Sequence, residues 1–102
     1  MLLQHKKTPY IGILKLATGE EIITTVSEDT LTSMIVKNPL CMVATDRGFQ
    51  FAPFMMMADA SKDITINRSS VVATTVPTPE LEGQYESVVT GIALPKKSSI
   101  IT

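Results

Sequence analysis

Residues 10–26 read YIGILKLATGEEIITTV and contain two β-rich runs on either side of a short turn. The first run is Tyr10–Leu16, the second is Ile22–Val26, and Thr18-Gly19-Glu20 lies between them. Short β-rich runs that flank a glycine-containing turn are typical of a β-hairpin. We therefore expect an antiparallel sheet to start here.

Further β-rich runs follow at the spacing of an all-β domain. Pro39 and Pro53 cannot donate to a sheet ladder, so each predicts an edge, a bulge or a bend in its strand. The run Ile64-Thr65-Ile66 alternates between apolar and polar residues and is followed by a break at 67–70. The sequence predicts five strands in addition to this interrupted stretch, and it shows no βαβ pattern. The three strands beyond the hairpin are expected over residues 33–45, 49–58 and 71–76.

The end of the chain has the signature of a helix. Thr78 is a candidate N-cap, Pro79 suits the first helical position, and Glu80 places an acid in the first turn. Gly91 is a candidate C-cap. One apolar stripe follows at helical spacing, made of Leu81, Tyr85, Val88 and Ile92.

Length and composition indicate one folded domain. The chain has 102 residues, of which 44% are hydrophobic and 19% charged, so a packed core is feasible and global disorder is not expected. Both faces of the first hairpin carry apolar residues, which favours a barrel or a sandwich. The expected segments are an N-terminal tail (1–9), a β-barrel (10–76), a C-terminal helix (77–94) and a C-terminal tail (95–102).

The net charge, the cysteine count and the lack of long apolar runs argue against several classes of protein. A net charge of −1 argues against broad, nonspecific nucleic-acid binding but leaves room for a local basic patch. Cys41 is the only cysteine, which excludes an intrachain disulfide and predicts an inert, buried thiol. No apolar run approaches the ~20 residues of a membrane span, and Met1–Lys7 does not resemble a secretion signal. We expect a cytoplasmic protein without a membrane partner.

The sequence offers no constellation for catalysis or metal binding. His5 is the only histidine and lies in the predicted tail, whereas a general base or a metal ligand needs fixed geometry. Glu20 and Glu21 are adjacent, so along a strand their carboxylates point apart instead of converging on one site. We therefore expect no enzyme activity, no catalytic residue, no metal site and no cofactor.

Several motifs resemble those of the Sm-like family. Leu16–Ile22 (LATGEEI) is similar to the Leu-x-x-Gly turn of the first Sm motif, and Ile66–Val72 (INRSSVV) is a looser version of the Ile-Arg-Gly core of the second. The resemblance covers roughly residues 9–92 and is closest to Sm-like proteins of tailed bacteriophages, including cyanophages. The segments that carry this closer resemblance are Gly19-Glu20-Glu21-Ile22, Lys37-Asn38-Pro39-Leu40, Pro53-Phe54-Met55, Ile64-Thr65-Ile66-Asn67, and Pro79-Glu80-Leu81 with Tyr85.

The resemblance implies a fold and an assembly. Sm-like proteins form a small, strongly bent five-stranded (SH3-like) barrel, here with a C-terminal helix, and their subunits join edge to edge into rings. It thus implies a cyclic homo-oligomer, pentamer to heptamer, in the cytoplasm of the host cell if a phage encodes the chain. A monomer with protected edges is the alternative. The candidate interface residues are Phe49, Phe51, Phe54, Val71, Val72 and Val76.

The resemblance also implies single-stranded RNA binding through turns that face the pore of the ring. The candidate residues are Asn67, Arg68 and Lys37. Alternatively, Arg68 pairs with Asp63 or Glu28, and Asn67 only shapes the turn. The turn after the second strand lacks a base-stacking aromatic, and Ser69 replaces the glycine of the second motif. A structural ring that binds another protein instead of RNA is therefore the second functional hypothesis.

Overall fold

The computed structural model describes residues 7–93. Within them, six β-strands, one short 3-10 turn and one α-helix follow one another. Residues 1–6 and 94–102, which contain His5 and most of both predicted tails, lie outside the described residues. The elements are β1 (Tyr10–Leu16), β2 (Glu21–Asp29), β3 (Ser33–Thr45), β4 (Gly48–Pro53), β5 (Ile64–Asn67), the 3-10 turn (Arg68–Ser70), β6 (Val71–Thr75) and α1 (Pro79–Ala93).

The structure has six strands where the sequence predicted five. The expected strand over 49–58 ends at Pro53, because the chain then leaves the sheet through two turns. In these turns the amide of Ala58 donates to the carbonyl of Met55, and the amide of Lys62 donates to the carbonyl of Asp59. The chain returns to the sheet as β5, so the alternating run 64–66 forms a strand of its own.

The six strands form one antiparallel sheet. The order is β4-β3-β2-β1-β6, and β5 pairs with the first half of β3. Within residues 7–93 no pairing joins β6 to β4 or β5, so the sheet is open and the predicted closed, five-stranded barrel is not what the strand pairing shows. The mostly β fold with a C-terminal helix is confirmed.

The long strand β3 is interrupted where the sequence predicted a bend. Asn38 has a φ of 49°, in the left-handed region, and Pro39 follows it. Ile23 pairs with Leu40 and Thr25 pairs with Lys37, so one residue of β2 lies opposite two residues of β3. Such a bulge bends a strand and increases its twist. As a result, one half of β3 carries β5 on its outer side and the other half carries β4.

The sheet buries apolar side chains on both faces. The larger cluster contains Leu14, Leu16, Ile22, Val26, Met34, Val36 and Ile66. The second cluster lies between the sheet and α1 and contains Ile23, Leu40 and Tyr85. Adjacent residues of one strand point to opposite faces, which explains why Ile22 and Ile23 belong to different clusters. The predicted apolar faces of the first hairpin are thus both used.

Helix α1 begins as predicted and packs on the sheet of its own chain. The amide of Leu81 donates to Oγ1 of Thr78 at 3.2 Å, and Glu80 and Glu82 lie in the first turn. Tyr85 is only 1% exposed, and Val88 packs partly buried beside it. Gly91 lies inside the helix, which runs to Ala93, so the predicted C-cap is wrong. Among residues 7–93 no helix is long and apolar enough to cross a membrane.

Candidate functional site

The 3-10 turn between β5 and β6 holds two of the predicted RNA-binding residues. Asn67 ends β5 opposite Ser33 of β3, and its side chain is exposed. The amide of Arg68 donates to the carbonyl of Thr32 at 2.9 Å, which fixes the turn against the loop between β2 and β3. Backbone hydrogen bonds therefore place Asn67 and Arg68 together at one end of the sheet.

The side chain of Arg68 pairs with Asp29 of β2. Its Nε lies 3.3 Å from Oδ1 of Asp29, and the hydroxyl of Tyr10 donates to Oδ2 of the same carboxylate at 3.4 Å. The side chains of Arg68 and Asp29 are 34% and 16% exposed. Arg68 therefore does form an ion pair, as the alternative predicted. The predicted partners, Asp63 and Glu28, are wrong, because the carboxylate is that of Asp29. Burial and then the charge of Asp29 raise the pKa of Tyr10.

Lys37 lies elsewhere and has its own acidic partner. Its Nζ is 2.7 Å from Oδ1 of Asp63, and both side chains are about half exposed (52% and 46%). Asn67 pairs with Ser33, four residues before Lys37 on β3. At about 3.3 Å per residue, this separation is about 13 Å along the strand. The structure therefore brings Asn67 and Arg68 together but leaves Lys37 apart from them.

The six candidate interface residues divide into two groups. Phe54 and Val71 pack against the larger core, and Phe51 packs against the core beneath α1, so all three stabilise the subunit itself. Phe49, Val72 and Val76 are exposed, at 72%, 62% and 48%. Of the six candidates, only these three are exposed to solvent.

Strand edges are the main polar backbone feature of the surface. Of the residues described, β4 and β5 pair only with β3, and β6 pairs only with β1. The outer sides of β4, β5 and β6 therefore carry no strand partner. Unpaired edges are ready templates for pairing with another strand. The β4–β5 edge and the β6 edge lie at opposite ends of the strand order, so one copy could pair with a neighbour at each end.

An exposed groove that was not predicted from the sequence lies between the β3–β4 hairpin and α1. Met42 pairs with Phe51 and Ala44 pairs with Phe49, so these side chains share the face of the hairpin nearest the helix. Val88 belongs to the opposite wall of the groove. The tight turn at Asp46-Arg47, with Gly48 at a φ of 107°, sets this register and was the signal that could have revealed the shared face.

No cluster for metal binding occurs among residues 7–93, where no group of three or more His, Cys, Asp or Glu side chains is placed to hold an ion. The thiol of Cys41 is half-buried in β3. Burial, with a smaller contribution from the charge of Glu20, raises its pKa. A raised pKa leaves little reactive thiolate at neutral pH, so the position carries no sign of nucleophilic chemistry.

Comparison with protein-family models and with curated proteins finds no match to this chain.

Proposed function

We propose that this protein is a homo-oligomeric assembly module of the Sm-like type, in which copies join through their sheet edges. The observation that carries the proposal is the pair of unpartnered edges, β4 with β5 at one end of the strand order and β6 at the other. Pairing the β6 edge of one copy with the β4–β5 edge of the next satisfies both rows of backbone groups. A head-to-tail contact of this kind closes into a ring when the rotation per copy is right.

Two exposed valines support this role for β6. Val72 lies within the strand and Val76 directly after it, and they are 62% and 48% exposed. A strand added beside β6 would cover part of this apolar surface, which adds to the hydrogen bonds of the edge. A strongly bent, barrel-like shape belongs to the same proposal, because the bulge at Asn38 already turns β3 from one partner strand to the other.

Single-stranded RNA binding at the 3-10 turn is the second candidate function. Asn67 is exposed, and Arg68 keeps a third of its side chain accessible beside it. Repetition of one arginine around a ring would concentrate positive charge even in a chain of net charge −1. The pairing of Arg68 with Asp29 reduces that charge. A protein-binding ring therefore has the stronger support from the electrostatics.

The assembly proposal is tested by charging the β6 edge. We expect Val72→Glu with Val76→Glu to shift the protein from oligomer to monomer in sedimentation velocity, because every repeated contact would then have to remove two carboxylates from water. Leu31→Glu is the matched control, since Leu31 is 95% exposed in the loop between β2 and β3 and lies on no strand edge. An unchanged sedimentation coefficient in the double variant would rule out this edge as the contact.

RNA binding is tested separately by fluorescence anisotropy with short A-rich and U-rich RNAs. Binding through phosphates weakens as salt rises, because counterions are released. We expect Arg68→Ala to lose such binding and Lys37→Ala to keep it, since Lys37 lies about 13 Å along β3 from the turn. Absence of binding at low salt would leave the protein-binding ring as the function to pursue.

A further inference from the structure

The connection between β4 and β5 places three consecutive methionines at the surface. Met55, Met56 and Met57 are 48%, 77% and 99% exposed. Core packing does not account for them, because an apolar side chain that stays in water adds little to the stability of the fold. A methionine sulfur in water is open to oxidants, and oxidation turns the flexible apolar thioether into a polar sulfoxide. The chemistry of these side chains in this place is therefore that of a modification site.

The other sulfur atoms of residues 7–93 are better protected. Met34 is fully buried in the larger core, and Met42 is 43% exposed, which is less than any of the three. The thiol of Cys41 is half-buried and has a raised pKa, so it is mostly protonated at neutral pH. Exposure thus separates Met56 and Met57 clearly from the other sulfur atoms, with Met55 and Met42 in between.

The methionines belong to a turn that is held against the bend of β3. The amide of Phe54 donates to the carbonyl of Pro39 at 2.9 Å, and the ring of Phe54 packs against the larger core. Met55 and Met56 then line a cavity of about 100 Å³, together with Pro39 and Ile64. Met57 is not among the residues that line this cavity. An oxidant therefore reaches two side chains that also help to close the turn against the sheet.

We propose that Met55, Met56 and Met57 form an oxidation site whose modification opens this turn. A peroxide transfers one oxygen atom to each sulfur: the O–O bond breaks, an S–O bond forms, and the sulfur loses two electrons. The proton of the transferred oxygen passes to the departing oxygen, which leaves as water or an alcohol.

The two lining methionines connect the modification to the opening. A sulfoxide that faces an apolar cavity lacks the hydrogen bonds that a polar group needs. Oxidised Met55 and Met56 therefore favour a conformation in which the turn has left the cavity, whereas oxidised Met57 stays in water at no such cost. The change is reversible, because methionine sulfoxide reductases return the thioether while two thiols become a disulfide and the oxygen leaves as water.

Peptide mass spectrometry after treatment with hydrogen peroxide measures the selectivity. Trypsin separates the methionines into residues 16–37 with Met34, residues 38–47 with Met42, and residues 48–62 with the three surface methionines. We expect the peptide 48–62 to gain oxygen at least about tenfold faster than 16–37, because susceptibility follows exposure. Equal rates in these two peptides would overturn the proposal.

Hydrogen exchange of the Phe54 amide, followed by NMR, measures the opening. Peroxide should speed this exchange by about threefold or more, because the amide is then protected by a less stable local structure. Methionine sulfoxide reductases with a dithiol should restore the slow exchange. An unchanged exchange rate in the chain with all three sulfoxides formed would overturn the proposal.

Two matched variants separate the opening from oxidation elsewhere in the chain. Met57→Leu should respond to peroxide like the unmodified protein, because Met55 and Met56 remain. Met55→Leu with Met56→Leu should still be oxidised at Met57 but should keep the slow exchange of the Phe54 amide. Leucine nearly conserves the volume of methionine, so both variants should fold. Equal acceleration in the two variants would also overturn the proposal.

Discussion

The hydroxyl of Tyr85 in α1 donates to the carbonyl of Asn38 at 3.0 Å, which fastens the helix to the bulge of β3. The carbonyl of Lys37 lies 3.2 Å from the same hydroxyl, and Oγ1 of Thr25 lies 3.1 Å away. The bulge leaves strand carbonyls without a ladder partner. Oγ1 of Thr24 also donates to the carbonyl of Lys37, at 2.7 Å. The buried hydroxyl of Tyr85 therefore serves the carbonyl of Asn38 at the bend and also positions the helix.

Removing this hydroxyl should destabilise the fold. We expect Tyr85→Phe to lower the free energy of unfolding by about 1–2 kcal/mol, because the carbonyl of Asn38 loses the hydroxyl that donates to it. Tyr85→Ala should cost about 3–5 kcal/mol, since it also opens a cavity beneath the helix. Urea unfolding followed by circular dichroism measures both. Equal stability of Tyr85→Phe and the unmodified protein would contradict the role given to the hydroxyl.

The same tyrosine predicts a loss of stability at high pH. Burial raises the pKa of Tyr85, and hydrogen bonds to Thr25 only partly oppose this. A folded pKa above the unfolded value of about 10 stabilises the fold fully below pH 10, and this contribution is lost as the pH rises through the folded pKa. Melting temperatures from pH 8 to 11.5 should fall less in Tyr85→Phe than in the unmodified protein. Tyr10, whose pKa is also raised, remains in both proteins.

The left-handed conformation of Asn38 predicts a residue-specific cost. At a φ of 49°, Asn38→Gly should be close to neutral, whereas Asn38→Val should destabilise the protein by about 1–2 kcal/mol. The difference between the two variants in urea midpoint isolates the backbone, because both lose the same amide side chain. A valine variant as stable as the glycine variant would show that the bend does not need this conformation.

The two basic side chains should differ in their contribution to stability. Arg68→Ala removes the cation beside the Asp29 carboxylate, which is 16% exposed and keeps its hydrogen bond from Tyr10. This should cost about 1–2 kcal/mol after allowance for the exposed third of the arginine. Lys37→Ala should cost less than about 1 kcal/mol, because its pair with Asp63 is solvated. Chemical denaturation in low and high salt checks this order. Equal costs would mean that burial does not separate the two pairs.

Local signals in the sequence predicted much of the fold. The hairpin at Gly19, whose φ is 108°, the bend at Asn38-Pro39 and the helix start at Thr78 all depend on neighbouring residues, and all three occur in the structure. The end of β4 at Pro53 was not predicted, because it depends on the point in β3 at which pairing changes from β5 to β4. Gly91 was misjudged, because a glycine can be tolerated within a helix that packs on a sheet.

The candidate site was predictable only in part. Asn67 and Arg68 are adjacent in sequence, so their shared turn followed from a local break. The pairing of Arg68 with Asp29 joins residues of distant strands and depends on the β2–β3 register, which shifts twice along its length. A register shift of one residue moves a side chain to the other face. The local pattern therefore placed Asn67 and Arg68 in one turn but could not identify the carboxylate with which Arg68 pairs.

The mass of the unmodified protein in solution tests the central proposal most directly. Light scattering coupled to size-exclusion chromatography, repeated over a hundredfold dilution, should give one closed species whose mass is a whole multiple of the 11.1 kDa subunit. A ring with all edges paired predicts a single multiple, from pentamer to heptamer, that persists on dilution. A mass of one subunit at every concentration would contradict assembly through the sheet edges.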